Sequence, residues 1–215
     1  MNKTLLALLV TCSVSVSAAP YVGLEYGLGT TDHDLEPHFS AENVTLNPEL
    51  EDGIFSGFIG YSFNDNWAIE LGYSQFDLDD GRSKNLGIKT IDGKDYHHEM
   101  DWDSSITAKQ VSLAPVFNYA LSDKWTTKFK AGLTYTQYDA KVAQHQEYEL
   151  VVNDDVEISN TLFHSSEKNN ELGAMFSVGA EYQVLPKLTI GANAKYQLDS
   201  YANTASFNVG TTYYF

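Results

Sequence analysis

Hydrophobic and polar residues alternate with a period of two from Tyr21 onward, the pattern of β-strands. Eight stretches show it, each about as long as the ~10 residues that a tilted strand needs to cross a bilayer. One face of every stretch carries large apolar side chains, and the opposite face carries mainly Gly, Ala, Ser and Thr. The pattern predicts an all-β fold of eight antiparallel strands.

The connections between these stretches differ in length in a regular way. Those after the second, fourth and sixth stretches are tight turns (64–66, 122–124 and 184–186), and the seventh, near 199–203, is also short. Those after the first, third and fifth are long (31–53, 77–107 and 139–170). Long loops at one end and short turns at the other are typical of a transmembrane β-barrel.

Two kinds of eight-stranded barrel alternate in this way: a soluble one with apolar residues inside, and a membrane one with apolar residues outside. The large side chains would overfill so narrow an interior, whereas the small ones fit it. Aromatic residues also concentrate at strand ends, where membrane interfaces select them. We therefore predict an eight-stranded antiparallel up-and-down transmembrane β-barrel with long extracellular loops. The predicted interface row at the short-turn end contains Tyr21, Tyr61, Trp67, Tyr119, Trp125, Tyr182 and Tyr213.

The first eighteen residues have the features of a secretory signal peptide. Lys3 gives a positive start, residues 5–10 are apolar, and the residues before Ala19 are small. The predicted organisation is a signal peptide over residues 1–18 and a barrel domain over residues 19–215. The only cysteine, Cys12, lies in the leader, so we expect no disulfide in the processed chain.

The last stretch carries a resemblance to known proteins. Phe207, Val209, Thr211, Tyr213 and Phe215 alternate there in the way that resembles the assembly signal of Gram-negative outer-membrane proteins. With the leader and eight strands, the chain resembles the small OmpA-, OmpX- and Ail-type barrels. Its Gly23–Gly29 opening and acidic loops are also similar to Vibrio accessory colonisation factors.

That resemblance implies a Gram-negative outer-membrane location, reached by export. The implied partners are outer-membrane lipid and lipopolysaccharide, the assembly machinery acting through the last strand and Phe215, and a host-cell or matrix ligand. The implied role is structural or adhesive, as in a colonisation factor.

Composition limits the functions further. The chain has 13 basic and 29 acidic residues, a formal net charge of −16, which argues against nucleic acid as a partner. It has no apolar run of the ~18 residues that would predict a spanning helix. Of the 29 acids, 24 fall in, or directly next to, the loops predicted to be extracellular. Turn residues at 92–95 and 153–155 predict that loops two and three are hairpins, which would extend the strands beyond the membrane as a sheet.

Six charged residues fall on the predicted inner face of the barrel: Glu25, Glu70, Glu181, Lys128, Lys130 and Lys195. Three carboxylates and three ammonium groups can neutralise one another where an unpaired charge is costly. The pattern fits a structural salt-bridge network that fills the lumen, with a small or gated ion pore as the alternative.

Other candidate chemistry is sparse. All six histidines fall in loops, and the best cluster, His97 and His98 with Glu99 and Asp101, fits either a solvated surface or a metal- or pH-responsive site. His164 and Ser166 weakly resemble the His-x-Ser pair of outer-membrane lipid A deacylases, which makes a lipid-modifying enzyme the third interpretation. We predict no enzymatic activity, no catalytic residues, no cofactor and no metal.

Overall fold

The computed structural model describes residues 19–215, and these residues form an all-β architecture. Within that range no helix has the length and apolar character needed to cross a membrane. The predicted signal peptide, residues 1–18, lies outside the described residues.

Eight of the eleven strands form a closed antiparallel ring, which confirms the predicted fold. The bounds are β1 Pro20–His33, β2 His38–Phe39, β3 Val44–Thr45, β4 Glu49–Leu50, β5 Ile54–Ser62, β6 Trp67–Ile91, β7 Lys94–Ala120, β8 Trp125–Leu150, β9 Asn153–Leu185, β10 Leu188–Leu198 and β11 Ala202–Tyr214. The ring closes because β1 pairs with both β5 and β11, and β6 pairs with both β5 and β7. Three short strands, β2, β3 and β4, lie in the connection between β1 and β5.

The inside and outside of the ring follow the predicted alternation. Along β1, Leu24 and Leu28 point outward and are more than half exposed, whereas Glu25 between them is buried. The same alternation recurs around the ring, leaving a continuous apolar surface far larger than soluble monomers expose. Lipid is the solvent that such a surface requires.

One side of the ring is much taller than the other. The strands β6 to β9 have 25, 27, 26 and 33 residues and remain paired far beyond the membrane band. By contrast, β10 and β11 end in a short loop, and β9 pairs with β10 only from Ala174 onward. The extracellular parts of β6 to β9 therefore form a protruding sheet, as the hairpin turns predict. Among the described residues, residues 153–173 of β9 pair only with β8.

Of the two hairpin turns at the tip of this protruding sheet, one lies where the sequence predicts it and the other does not. Asp92 and Gly93 both have positive φ (51° and 77°) and link Ile91 to Lys94, a two-residue turn of the type expected for Asp-Gly. The other turn, predicted at 153–155, lies instead at Val151 and Val152.

The shift of the second turn has a packing cause. Leu150 is buried in a cluster with Tyr96 and Tyr148, so β8 continues to that residue. The next amide, that of Val151, donates to the carbonyl of Asp95 in β7 at 3.0 Å. Asn153 consequently pairs with Leu150, and residues 154–156 form a ladder irregularity before Glu157, which pairs with Glu149.

The connection between β1 and β5, residues 34–53, folds across the open end of the ring. The ring of Phe39 lies 6.4 Å from that of Trp102 and 6.1 Å from that of Phe163, on the inner side of the protruding sheet. Leu46 is fully buried, and the backbone amide of Asn47 donates to the Asp80 carboxylate at 2.8 Å. Loop one is thus a packed cover.

Candidate functional site

The six charged residues predicted to face the lumen do so, and their side chains meet. The Nζ of Lys130 lies 2.6 Å from Oε2 of Glu70 and 3.8 Å from Oε1 of Glu25. The Nζ of Lys195 lies 3.4 Å from Oε2 of Glu25. The side-chain amide of Asn193 also donates to Glu25 at 3.0 Å. We call the six charged residues the lumen network.

The remaining pair of the lumen network is surrounded by hydroxyl groups. The Nζ of Lys128 lies 2.7 Å from Oε1 of Glu181. Thr189 and Thr212 each donate to this carboxylate at 2.9 Å, and the hydroxyl of Tyr214 donates to it at 3.1 Å. These bonds offset the cost of removing the two charges from water.

An apolar and aromatic plug closes the short-turn end of the lumen. It consists of Tyr21, Phe58, Ala68 and Val116. Tyr21 was expected in the outer aromatic row, but it is only 2% exposed and its hydroxyl donates to Glu70 at 2.9 Å. The expectation was wrong because the alternation that places Val22 in lipid turns Tyr21 inward. There its ring occupies the space that a Cβ at Gly60 would take.

A second apolar cluster closes the extracellular end. It is built from inward residues of β5, β6, β7, β8 and β11: Ile54, Phe76, Leu78, Ile106, Ala108, Tyr138, Ala140 and Ala202. Leu35 and Leu50 of loop one pack against them. Between the two plugs, the recess that remains beside the lumen network is about 20 Å³, room for about one water molecule. Within residues 19–215, apolar side chains thus occupy both ends of the lumen, and only this small recess adjoins the lumen network.

The six predicted interface residues other than Tyr21 point away from the lumen at the short-turn end. Tyr182 is half-buried, and its ring centroid lies 5.0 Å from that of Trp125. The five others are between 41% and 55% exposed: Tyr61, Trp67, Tyr119, Trp125 and Tyr213. Phe215, predicted as part of the assembly signal, is also exposed, and its amide donates to the carbonyl of Pro20 at 3.2 Å.

An acidic surface covers the protruding sheet. Glu147, Glu149 and Glu157, from β8 and β9, place one carboxylate oxygen each within 4.8 Å of the others. Burial and the neighbouring carboxylate of Glu157 raise the pKa of Glu147. No pattern in the sequence groups these three residues, because Glu157 comes beside Glu149 only through the pairing of β9 with β8.

The histidine candidates do not form a metal site with each other. His98 points to the inner side of the sheet, where its ring stacks on Tyr148 at 4.6 Å and accepts from the amide of Gln146 at 2.6 Å. His97 is exposed on the other side. His164 and Ser166 lie in the extracellular part of β9, paired with Ala143 and Lys141, far from the lipid-facing band.

Comparison with known proteins identifies relatives of this architecture. The sequence matches the family described as outer membrane protein beta-barrel domain over residues 4–215. A comparison with curated proteins gave no significant match.

Solved structures similar to this chain have low sequence identity to it. Neisserial surface protein A is 12% identical, with 92% of this chain and 99% of that chain covered and a TM-score of 0.53. The Ail protein of Yersinia pestis, solved with the heparin analogue sucrose octasulfate, is 14% identical, with coverage of 92% and 97% and a TM-score of 0.49. The N-terminal barrel of Pseudomonas aeruginosa OprF is also 14% identical, with coverage of 91% and 97% and a TM-score of 0.46.

Proposed function

Since the chain belongs to the outer membrane protein beta-barrel family and resides in the Gram-negative outer membrane, we propose that it is a non-enzymatic surface protein that displays the protruding sheet to a binding partner. The barrel is then a membrane anchor and a rigid base. The display of β6 to β9 beyond the membrane is the observation that carries the proposal.

The rigidity of the display supports a binding role. The two hairpins are paired almost to their tips, and loop one packs against the inner side of the sheet through Phe39. A surface fixed in this way loses little conformational entropy when a partner binds. The outer edges, formed by β6 and β9, carry backbone groups available for an added strand.

Charge defines the kind of partner. Residues 31–53, 77–107 and 139–171 carry 23 of the 29 acidic residues of the chain and six basic ones, so this surface has a strong excess of negative charge. A positively charged protein surface is attracted to such a sheet and a polyanion is repelled. The partner we propose is therefore a basic host-cell or matrix protein, which would make the chain an adhesion or colonisation factor.

The other interpretations have weaker support. A pore needs a continuous aqueous path, and both ends of the lumen are occupied by apolar side chains. A lipid-modifying enzyme needs its nucleophile at the level of lipid, and Ser166 lies well above the apolar band. We also propose that outer-membrane lipopolysaccharide surrounds the barrel and that the assembly machinery recognises its last strand.

The test removes the distal half of both hairpins without disturbing the barrel. Ser83 pairs with Asp101, and Gln144 pairs with Phe163. Residues 84–100 and 145–162 are each replaced by a two-residue Asn-Gly turn. Bacteria that display the wild-type protein are expected to bind host cells or matrix proteins, and those with the trimmed protein are expected to lose that binding.

Two controls make the result decisive. The trimmed protein keeps Trp102 and Phe163, so loop one retains its contacts, and a heat-modifiability gel verifies that the barrel has folded. In a second control only the tip turn is changed, by replacing Val151 and Val152 with Asn-Gly at unchanged hairpin length. Equal binding by the wild-type and trimmed proteins would overturn the proposal.

A further inference from the structure

A recess opens at the extracellular mouth, on the low side of the ring. It has a volume of about 250 Å³. It lies between loop one, β8, the part of β9 that does not pair with β10, and the short loop between β10 and β11. Pockets for drug-sized ligands measure roughly 300–1,000 Å³, so this mouth recess fits a group the size of one amino-acid side chain.

The floor of the mouth recess is apolar and firmly held. Ala140 and Val142 face it from β8, and Leu35 faces it from loop one. The ring of Tyr201 completes the lining and stacks on Tyr138 with centroids 4.3 Å apart.

The short loop that carries Tyr201 is fixed by hydrogen bonds. The backbone amides of Tyr201 and Ala202 donate to Asp199 at 2.9 Å, and the hydroxyl of Tyr138 donates to the same carboxylate at 2.8 Å. The aromatic wall of the mouth recess is therefore preformed.

The rim of the mouth recess is negative. It carries the carboxylates of Asp34 and Glu167, and none of the nine lining residues is basic. Neither carboxylate forms an ion pair with a basic side chain within residues 19–215. The nearest lysine in sequence, Lys168, has its Nζ 3.3 Å from Asp139 instead. Glu167 and Tyr201 line the same recess, so this carboxylate lies beside the aromatic wall. Burial and the charge of Glu167 raise the pKa of Tyr201.

We propose that the mouth recess binds an organic cation, an ammonium or guanidinium group on a short aliphatic chain. The cationic group lies at Asp34 and Glu167, where two carboxylates lack a basic partner, and it faces the ring of Tyr201. The aliphatic chain packs on Val142 and Leu35. Such a group is found in the lysine and arginine side chains of proteins and in free amines.

This inference rests on the proposed function in one respect: the basic binding partner would supply the cationic group. The mouth recess lies below the segments that the trimmed protein lacks, so that protein retains every lining residue. Loss of cell binding with retention of cation binding would separate the two proposals, as would the reverse result.

The experiment measures binding to the purified protein in lipid nanodiscs by isothermal titration calorimetry. The probes are N-acetyl-arginine amide, N-acetyl-lysine amide and 1,4-diaminobutane, with N-acetyl-glutamine amide as an uncharged control. We expect saturable binding of at least one cation, weakened by salt, and none of the control. Tighter binding of the amino-acid derivatives identifies a protein side chain as the source, and tighter binding of the diamine identifies a free amine.

Variants locate the binding. Glu167→Gln and Asp34→Asn are each expected to weaken binding about tenfold, and Tyr201→Leu about threefold. Val142→Phe fills the floor and is expected to abolish binding while all charges remain. Glu157→Gln, on the same strand but outside the recess, makes the same charge change and is expected to alter affinity by less than about twofold. No saturable binding of any cation, or an equal effect of Glu157→Gln and Glu167→Gln, would overturn the proposal.

Discussion

The ammonium group of Lys130 lies 2.6 Å from the carboxylate of Glu70 inside the barrel, and both side chains are more than nine-tenths buried. The same ammonium group is 3.8 Å from Glu25. Loss of one partner from a buried pair leaves an uncompensated charge, whereas loss of both partners does not. The lumen network should therefore respond differently to single and double substitutions.

We expect Lys130→Met to lower the free energy of unfolding by about 3–5 kcal/mol, because Glu70 then remains buried without its cation. The measurement is urea unfolding of the folded protein in lipid, followed by tryptophan fluorescence. Lys187→Met, in an exposed turn, is the control for the loss of one positive charge. The double variant with Glu70→Leu and Lys130→Met should recover part of the lost stability. Equal stability of Lys130→Met and Lys187→Met would contradict this account.

We expect the protein to show no steady ion conductance in planar bilayers, because apolar side chains occupy both ends of the lumen. Insertion is verified separately by protease cleavage of the extracellular hairpins in the same preparation. A reproducible open level carried by inserted protein would show that the lumen network rearranges to admit ions.

Phe39→Ala should release loop one from the protruding sheet, because this ring contacts both Trp102 and Phe163. Phe39 is half-buried, so the cost should be about 1–2 kcal/mol, less than the ~3–5 kcal/mol of a fully buried phenylalanine. Hydrogen exchange of the Leu46 amide, which donates to Pro37 at 3.0 Å, reports the release. Val152→Ala, at an exposed tip, should leave that exchange rate unchanged; equal rates in the two variants would refute the packing role.

The protruding sheet should become more stable as pH falls from neutral. Burial raises the pKa of Asp103 and Glu147, and the nearby carboxylate of Asp101 raises both further. The folded sheet therefore binds more protons than the unfolded chain between the ordinary carboxyl pKa and the raised one. The stability gained on protonation is complete below that interval and is lost as pH rises through the folded pKa.

Hydrogen exchange of the β7 and β8 amides, corrected for intrinsic rates, tests this at neutral pH and at about pH 5, near the carboxyl range. Protection should be greater at the lower pH. The variant with Asp103→Asn and Glu147→Gln should show a smaller dependence, and an undiminished one would assign the effect to other groups.

Phe215→Ala should reduce the amount of folded protein in the outer membrane, if Phe215 belongs to an assembly signal as the resemblance implies. Phe207, in the same strand, is equally exposed at 61%, so Phe207→Ala removes the same apolar surface from lipid. The heat-modifiable fraction in isolated membranes is the measurement. An equal loss in both variants would indicate lipid contact rather than recognition by the assembly machinery.

Much of the fold was predictable because the period-two pattern assigns every strand residue to lipid or lumen. That rule brought Glu25, Lys130 and Lys195 together from three distant strands. The same rule places Tyr21 in the lumen, although its aromatic side chain suggested the membrane interface. Side-chain type was a weaker guide there than register.

Other features depended on contacts that the sequence does not display. The turn at Val151 follows from the packing of Leu150 on Tyr96, a contact between strands more than fifty positions apart. The mouth recess combines loop one with β8, β9 and the loop before β11. No local sequence pattern predicts either arrangement, because each depends on residues that meet only when the ring has closed.

The unequal height of the ring gives the extracellular surface a direction. On the side of β6 to β9 the sheet forms a wall, and on the side of β10 and β11 the chain turns back after the three residues 199–201. The mouth recess lies at that gap, beside the free edge of β9. A molecule that approaches along the cell surface from the side of β10 and β11 can therefore reach it without passing over the wall.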